Sequence, residues 1–237
     1  MMENKVIMTD PRKHDYFYDE ASKNLRTNIR FIGTGIKSIV VTSCYPNEGK
    51  SDIIFQLALE LGNMGKRVLI LDADIRKSSY IGRYSVKRQT HGLSEYLSGQ
   101  CSVGDMLYTT NFEGVDMIFA GPSAPNPSEL LEQEAFGGLV HAMREKYDYV
   151  LIDTPPIVNM ADAAIVAKQC DGAMLVIECE RVSRRVAVKA KEQLAASGCR
   201  ILGAVLNKVD IKSDRYYSKY SSYGSYYGYG KKKEGGK

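Results

Sequence analysis

The stretch Ile36-Lys37-Ser38-Ile39-Val40-Val41-Thr42-Ser43-Cys44-Tyr45-Pro46-Asn47-Glu48-Gly49-Lys50-Ser51 decides the fold. Its first part, Ile36–Thr42, is apolar, β-branched and of the length of a buried strand. Its last part opens a segment, Ser51–Met64, that reads as a helix stopped by Gly65. A strand, a loop and a helix beginning at Gly-Lys-Ser form the setting of a phosphate-cradling loop. Backbone N–H groups at the helix start, helped by the helix dipole, are suited to holding phosphate oxygens. The nucleotide contacts expected here are Asn47, Glu48, Gly49, Lys50, Ser51 and Asp52. Lys50 neutralises phosphate charge and the Ser51 hydroxyl ligates Mg²⁺, so ATP and Mg²⁺ are the expected cofactors. Two positions are unusual: Cys44 occupies the place of the customary first glycine, and Asp52 follows the serine. A carboxylate ~4 Å from a phosphate charge costs about 4 kcal/mol at an effective dielectric of 20, so Asp52 either turns away or weakens nucleotide binding.

Outward from this stretch, Arg67–Leu71 is a second buried strand ending in Asp72-Ala73-Asp74, and Tyr149–Ile152 another, ending at Asp153. Tyr16 to about Phe31 has helical spacing, and Gly92–Leu97 and Val103–Leu107 read as short helices. Val115–Ala120 reads as a strand, followed by a long helix capped by Ser128. Met160–Ala167 (helix), Gly172–Ile177 (strand), Arg184–Ala196 (helix) and Ile201–Leu206 (strand) complete the body. This alternation predicts an α/β fold with a doubly wound, mainly parallel sheet flanked by helices. Ligands of such folds bind beyond the carboxyl ends of the strands. The phosphate loop, the Asp72–Asp74 pair and Asp153 all sit at such ends. One carboxylate there can hold Mg²⁺ beside Ser51, while a second is free to accept a hydroxyl proton.

The 237 residues suffice for one sizeable α/β domain, expected over 15–210, after a polar, flexible N-terminus at 1–14. Five cysteines without CxxC spacing read as reduced thiols, and no apolar run is long enough for a membrane span, so a cytoplasmic location is expected. The net charge of +4 divides unevenly: from Ile211 to Lys237, seven Lys/Arg face only Asp214 and Glu234, leaving the body at −1. A near-neutral body does not indicate nucleic-acid binding. Residues 211–237 form the expected flexible basic tail, which holds seven of the sixteen tyrosines: Tyr216, Tyr217, Tyr220, Tyr223, Tyr226, Tyr227 and Tyr229. Ser, Gly and Lys spacers cannot build a core.

With these elements in place, the chain resembles the bacterial tyrosine kinases of capsule and exopolysaccharide synthesis, P-loop proteins related to the MinD/ParA ATPases. The resemblance rests on Glu20–Asn28, the Pro46–Ser51 loop, Leu71-Asp72-Ala73-Asp74-Ile75-Arg76, Asp148–Pro156, Val205-Leu206-Asn207 and the tyrosine tail. It implies Lys50, Asp72 and Asp74 as catalytic residues, with Asp72 the base for a tyrosine hydroxyl and Asp74 at the metal with Ser51 and Asp153. Asn207 joins the nucleotide contacts, and the tail tyrosines become phospho-acceptors. Glu20 and Arg26 match the motif with which the family builds octamer-like rings. Lys23 stands at that motif's first arginine, keeping the charge but losing bidentate pairing. Tyr45 stands where MinD/ParA proteins carry a signature lysine. Further implied partners are a transmembrane adaptor that recruits the chain to the inner face of the membrane and a phosphotyrosine phosphatase. The alternatives are a nucleotide-dependent scaffold and a positioning ATPase. Each phosphotyrosine adds about −1.5 to −2 of charge, so three or four reverse the sign of the tail. That reversal is expected to loosen both its docking at the acidic strand ends and the ring.

Overall fold

The computed structural model describes residues 4–12, 16–87, 90–158 and 160–210. Seven strands form one sheet: β1 (Ser38–Ser43), β2 (Val68–Asp72), β3 (Leu107–Thr109), β4 (Val115–Ile118), β5 (Tyr149–Asp153), β6 (Gly172–Glu178) and β7 (Ile201–Asn207). Their spatial order is β3-β4-β2-β5-β1-β6-β7, parallel throughout except for the β3–β4 pair. Around it lie α1 (Tyr16–Phe31), α2 (Lys50–Gly62), α3 (Tyr80–Arg83), α4 (Leu93–Leu97), α5 (Val103–Met106), α6 (Pro127–Glu132), α7 (Glu134–Lys146), α8 (Asp162–Ala167) and α9 (Arg184–Ala195). The expected doubly wound, mainly parallel sheet is the observed one.

Side-chain alternation along the strands divides the core into two layers. Val40, Leu69, Leu71, Val150 and Ile152 face a layer containing Phe136, Leu139 and Met143 of α7, Val166 of α8 and Leu194 of α9. Ile39, Val41, Val68, Ile70 and Leu151 face Ile29 of α1 and Ile54, Phe55, Leu57 and Leu61 of α2. Every residue of β1 and β2 is buried, which is why these strands read as continuous apolar runs.

Several expectations are corrected. The helix expected to run on from a Ser128 cap is two helices, α6 and α7, broken at Gln133, whose backbone is extended. Asn126 holds the N-cap position of α6, and the Ser128 hydroxyl bonds Asp162 instead. The C-terminal end of the expected Val103–Leu107 helix begins the antiparallel edge strand β3. Of the N-terminal residues expected to be flexible, 4–9 are tied down. Val6 N–H donates to the Thr109 carbonyl at 3.0 Å and Thr109 N–H to the Asn4 carbonyl at 2.8 Å, with Val6 and Met8 buried. Hydrogen bonding to β3 and apolar burial together give this segment its place. The tail, with all seven of its tyrosines, lies outside the described residues.

The topology sets β2, β5 and β1 side by side, so that their C-terminal ends open on one edge below the start of α2. The far end of α2 is equally constrained. A methyl group on Gly62 would overlap the Glu113 carbonyl oxygen, part of the backbone leading into β4. Gly62→Ala should therefore destabilise the chain by about 1–3 kcal/mol through overpacking, although helix propensity alone favours Ala by about 1 kcal/mol. Urea denaturation at unchanged m-value measures it, and an increase in stability would refute the packing argument.

Candidate functional site

The loop between β1 and α2 folds back on itself. Asn47 (φ 66°) and Gly49 (φ 88°) both take left-handed backbone conformations, and Gly49 is the residue type best suited to that region. A side chain at Gly49 would also collide with the Asn207 amide. Glu48 is buried, and its Oε2 accepts the Cys44 N–H at 2.9 Å. Its carboxylate therefore braces the loop from inside, and burial raises its pKa. From β7, Asn207 donates its amide to the Glu48 carbonyl at 2.8 Å, and Lys208 donates to the Asn47 carbonyl at 2.7 Å. α2 begins at Lys50, so the N–H groups at its start lack i−4 helical acceptors and the dipole makes this end attractive to an anion.

The strand ends bring the carboxylates together. Asp72 and Asp153 are register partners across β2 and β5, and both are buried. The Ser51 hydroxyl donates to Asp153 Oδ2 at 2.5 Å, and Lys50 Nζ lies 3.9 Å from Asp153 Oδ1. Asp72 accepts the Ser78 hydroxyl at 2.5 Å and the Asp74 N–H at 3.1 Å. Burial, followed by the Asp153 charge, pushes the Asp72 carboxyl well above the usual carboxylate range. Burial also raises Asp153, while the Lys50 charge and the Ser51 hydrogen bond pull it back. Both carboxyls of the pair are thus held above the usual carboxylate range, Asp72 further than Asp153.

These groups line a single crevice of about 240 Å³ that includes Asn47, Gly49, Lys50, Ser51, Asp72, Asp74 and Asp153. Sequence reasoning missed Ser78, Tyr80, Arg83 and Met160, which line it as well, and gave no role to Arg76. Arg76 makes a two-pronged contact with the buried carboxylate of Asp162 at 2.5 and 3.0 Å, and Ser128 bonds both residues. Nothing in the spacing announces this tie, because its members come from three separated segments. The Asp52 carboxylate is turned away, paired with Arg83 at 2.5 Å and in reach of the Tyr84 hydroxyl at 3.4 Å. Of Asp52, then, only the backbone N–H stands ready for phosphate, and its charge is offset by Arg83. The expected oligomerisation residues lie on α1: Lys23 pairs with Glu20 at 2.7 Å and Arg26 with Glu60 of α2 at 2.7 Å.

The donor set fits a divalent cation. Asp153 Oδ1 is buried without a hydrogen-bond partner, beside the Ser51 hydroxyl. Among the described residues no cluster of three or more His, Cys, Asp or Glu side chains is arranged to hold a metal by itself. Mg²⁺ takes one or two carboxylates and completes its shell with water and phosphate oxygens, so Asp153 and Ser51 suffice as the protein's share.

The comparisons with known proteins agree with this geometry. An AAA domain family matches residues 37–198. The chain is 40% identical over 206 residues to the tyrosine-protein kinase CpsD of Streptococcus agalactiae, covering 87% of this chain and 90% of the relative. It superposes on the kinase domain of the Escherichia coli tyrosine kinase ETK with a TM-score of 0.76 at 30% identity, over 81% of this chain and 77% of the other. The septum site-determining protein MinD of Pyrococcus horikoshii, solved with Mg-ADP, superposes at a TM-score of 0.65 and 26% identity, over 76% of this chain and 72% of the other. The phosphate loop, the paired strand-end carboxylates and a match along most of both chains lead to one conclusion: the protein belongs to the bacterial tyrosine-protein kinases, on the P-loop fold they share with MinD-like ATPases.

Proposed function

We propose that the chain transfers the γ-phosphoryl of ATP to tyrosines of its own C-terminal tail, Tyr216 to Tyr229, within an oligomer in which one subunit's tail serves its neighbour's crevice. The observation that carries this reading is the pairing of Asp72 with Asp153 beside Lys50 and Ser51. Ser51 and Asp153, with Asp74 at the rim, would hold Mg²⁺, which when bound draws charge from the phosphate oxygens. Lys50 and the N–H groups at the start of α2 would orient and neutralise the phosphates. Asp72, held basic by burial and by Asp153, would accept the proton of the incoming tyrosine hydroxyl. The bond to the tyrosine oxygen forms as the bond to the ADP oxygen breaks, in line. Asn207, fixed to the loop, would sit against the nucleotide.

Glu20, Lys23 and Arg26 would form part of the contact between subunits, with Arg26 leaving or sharing Glu60. No helix among the described residues is long and apolar enough to cross a membrane. Activation by a separate transmembrane adaptor, at the inner face of the membrane, follows from the family resemblance, as do control of capsule or exopolysaccharide synthesis and reversal by a phosphotyrosine phosphatase. Tyr45 supports kinase over positioning ATPase: its ring packs against the core and its carbonyl accepts the Ser43 hydroxyl at 2.8 Å, so no cation projects from this place in the loop.

With γ-labelled ATP, Mg²⁺ and an adaptor peptide, the intact chain should incorporate label on tyrosine. Lys50→Met and a chain ending before Tyr216 should each lose it by at least ~100-fold. Released phosphate without labelled protein would replace this reading with an ATPase.

The Asp72–Asp153 pair gives a second expectation. A carboxyl whose folded pKa is raised contributes stability that is complete below its unfolded value, about 3.9, and is lost as pH rises through the folded value. Tyrosine transfer, needing ionised Asp72, should change in the opposite sense and rise over that window. Asp72→Asn should therefore melt higher than the native chain at pH 7 without nucleotide, while transfer falls by about 10²–10⁴-fold. Calorimetry from pH 5 to 8 beside the labelling assay checks both, and a variant that melts lower would refute the electrostatic account.

A further inference from the structure

The charge of the folded body is unevenly placed. Between Arg181 and Arg200 six Lys/Arg face only Glu192, while the remaining residues up to Asp210 sum to −6. α9 carries this concentration on its exposed face, where Arg184, Arg185, Val188, Lys189 and Glu192 line a shallow open concavity. Many of the arginines elsewhere are paired, Arg12 with Asp10, Arg26 with Glu60, Arg76 with Asp162, Arg83 with Asp52 and Arg144 with Asp171, so what sets α9 apart is four unpaired cations on one short helix. Arg184, Arg185, Lys189 and Lys191 make no ion pair or side-chain hydrogen bond with the described residues. The arrangement works against the helix itself. Arg185 and Lys189 are like charges at i,i+4, costing about 0.2–0.5 kcal/mol, and no acidic residue occupies the first turn. A run of unpaired cations that costs the helix stability is the surface an anion would occupy.

The fold places one source of anions beside it. Glu178, at the end of β6, accepts Arg181 at 2.9 Å and Lys208 at 3.1 Å. Arg181 leads into α9, and Lys208 lies two residues before Asp210, after which the tail begins. The start of the basic helix and the origin of the tail thus meet across one carboxylate. α9 is about 18 Å long, and the six residues from Asp210 to Tyr216 span up to ~20 Å when extended, so the tail tyrosines are within reach of the whole face. The unmodified tail carries +5 and is repelled by it. Phosphates on tyrosines three residues apart sit ~10 Å apart along an extended chain, close to the ~6–9 Å between the Arg184–Arg185 and Lys189–Lys191 groups.

We propose that the exposed face of α9, through Arg184, Arg185, Lys189 and Lys191, is a docking surface for the multiply phosphorylated tail of this chain. This rests on the reading of the tail as phospho-acceptor. It adds the place to which the modified tail moves. Phosphorylation reverses the tail's sign, which weakens its attraction to the acidic strand ends and creates one for α9. The product is thereby held away from the crevice that made it.

The test needs no autophosphorylation. Two synthetic peptides of residues 211–237, one unmodified and one phosphorylated at Tyr217, Tyr220, Tyr223 and Tyr226, are titrated by fluorescence anisotropy into the full chain and into its Arg184→Glu, Arg185→Glu, Lys189→Glu variant. The phosphopeptide should bind the native chain at least ~10-fold more tightly than the unmodified one, lose at least ~10-fold in the variant, and weaken steeply with salt. Arg185→Gln, Lys189→Gln should give a smaller loss in the same direction and serves should the charge reversal unfold. Equal binding of the phosphopeptide to native and variant chains, or equal binding of both peptides, would overturn the proposal. So would phosphatidylserine vesicles that sediment the native chain and not the variant while the phosphopeptide fails to bind, which would make α9 a membrane-facing surface. Because the phosphates are supplied chemically, failure here leaves tail labelling by ATP untouched, and the reverse.

Discussion

The structure depends on the parallel pairing of β2 with β5 in the register that sets Asp72 beside Asp153. Two carboxylates buried at neighbouring strand ends oppose folding, and neither can move to solvent without disturbing the most buried strands of the sheet. Lys50 and the Ser51 hydroxyl, delivered by α2, offset part of that cost on the Asp153 side. Ser78 and the Asp74 N–H do so on the other. The Asp153 Oδ1 atom, 3.9 Å from Lys50 Nζ, is still left without a hydrogen-bond partner, and it is there that the proposed Mg²⁺ would sit. The crevice is thus a local instability held by the packing on both faces of the sheet, which is the usual condition of a site arranged for chemistry.

The same logic explains why distant segments converge on the phosphate loop. A loop with two left-handed residues, Asn47 and Gly49, on either side of Glu48 is costly to hold open, and three ties hold it. Glu48 braces it from within, Asn207 bonds it from β7, and Lys208 bonds it from just beyond. β7 is the last strand of the sheet, and the same end that bonds the loop through Asn207 leads on to the tail. Nucleotide loop and tail origin are therefore mechanically one unit. On the other side of the crevice, Asp162 fixes Arg76 through a buried two-pronged contact supported by Ser128, joining the β2 end, α6 and α8. Breaking one partner of such a tie leaves a buried charge exposed to an apolar layer, so the tie is expected to be rigid.

Much of this was legible in the residues. Continuous apolar runs flanked by helical spacing revealed six of the seven strands; in β1 and β2 burial on both faces leaves that mark, whereas β7 at the edge has no fully buried residue. The crevice was legible to the extent that its members sit at strand ends: Lys50, Ser51, Asp72 and Asp153 needed only the topology to meet. β3 was hidden because three residues carry no period and its partners, β4 and residues 4–6, are brought in by the fold. The break at Gln133 has no proline or glycine to mark it, and a continuous apolar spacing across it read as one helix. Asp52 shows the limit most clearly. Its local context predicted either repulsion of phosphate or a turned side chain, and the deciding group, Arg83, belongs to a four-residue helix with no sequence signal of its own.

Asp52 and α9 together show how the molecule separates two uses of charge. Near the crevice, Lys50, Arg76 and Arg83 each face a carboxylate, at Asp153, Asp162 and Asp52. An incoming polyphosphate there meets groups already oriented, and the cost of reorganising them on binding is small. On α9 the cations face solvent without such partners, so they respond to whatever charge comes near. Paired cations give geometry; unpaired ones give long-range attraction that depends on net charge and salt. A chain whose proposed product changes sign as it forms has use for both, the first to make the phosphotyrosine and the second to sense how many have been made.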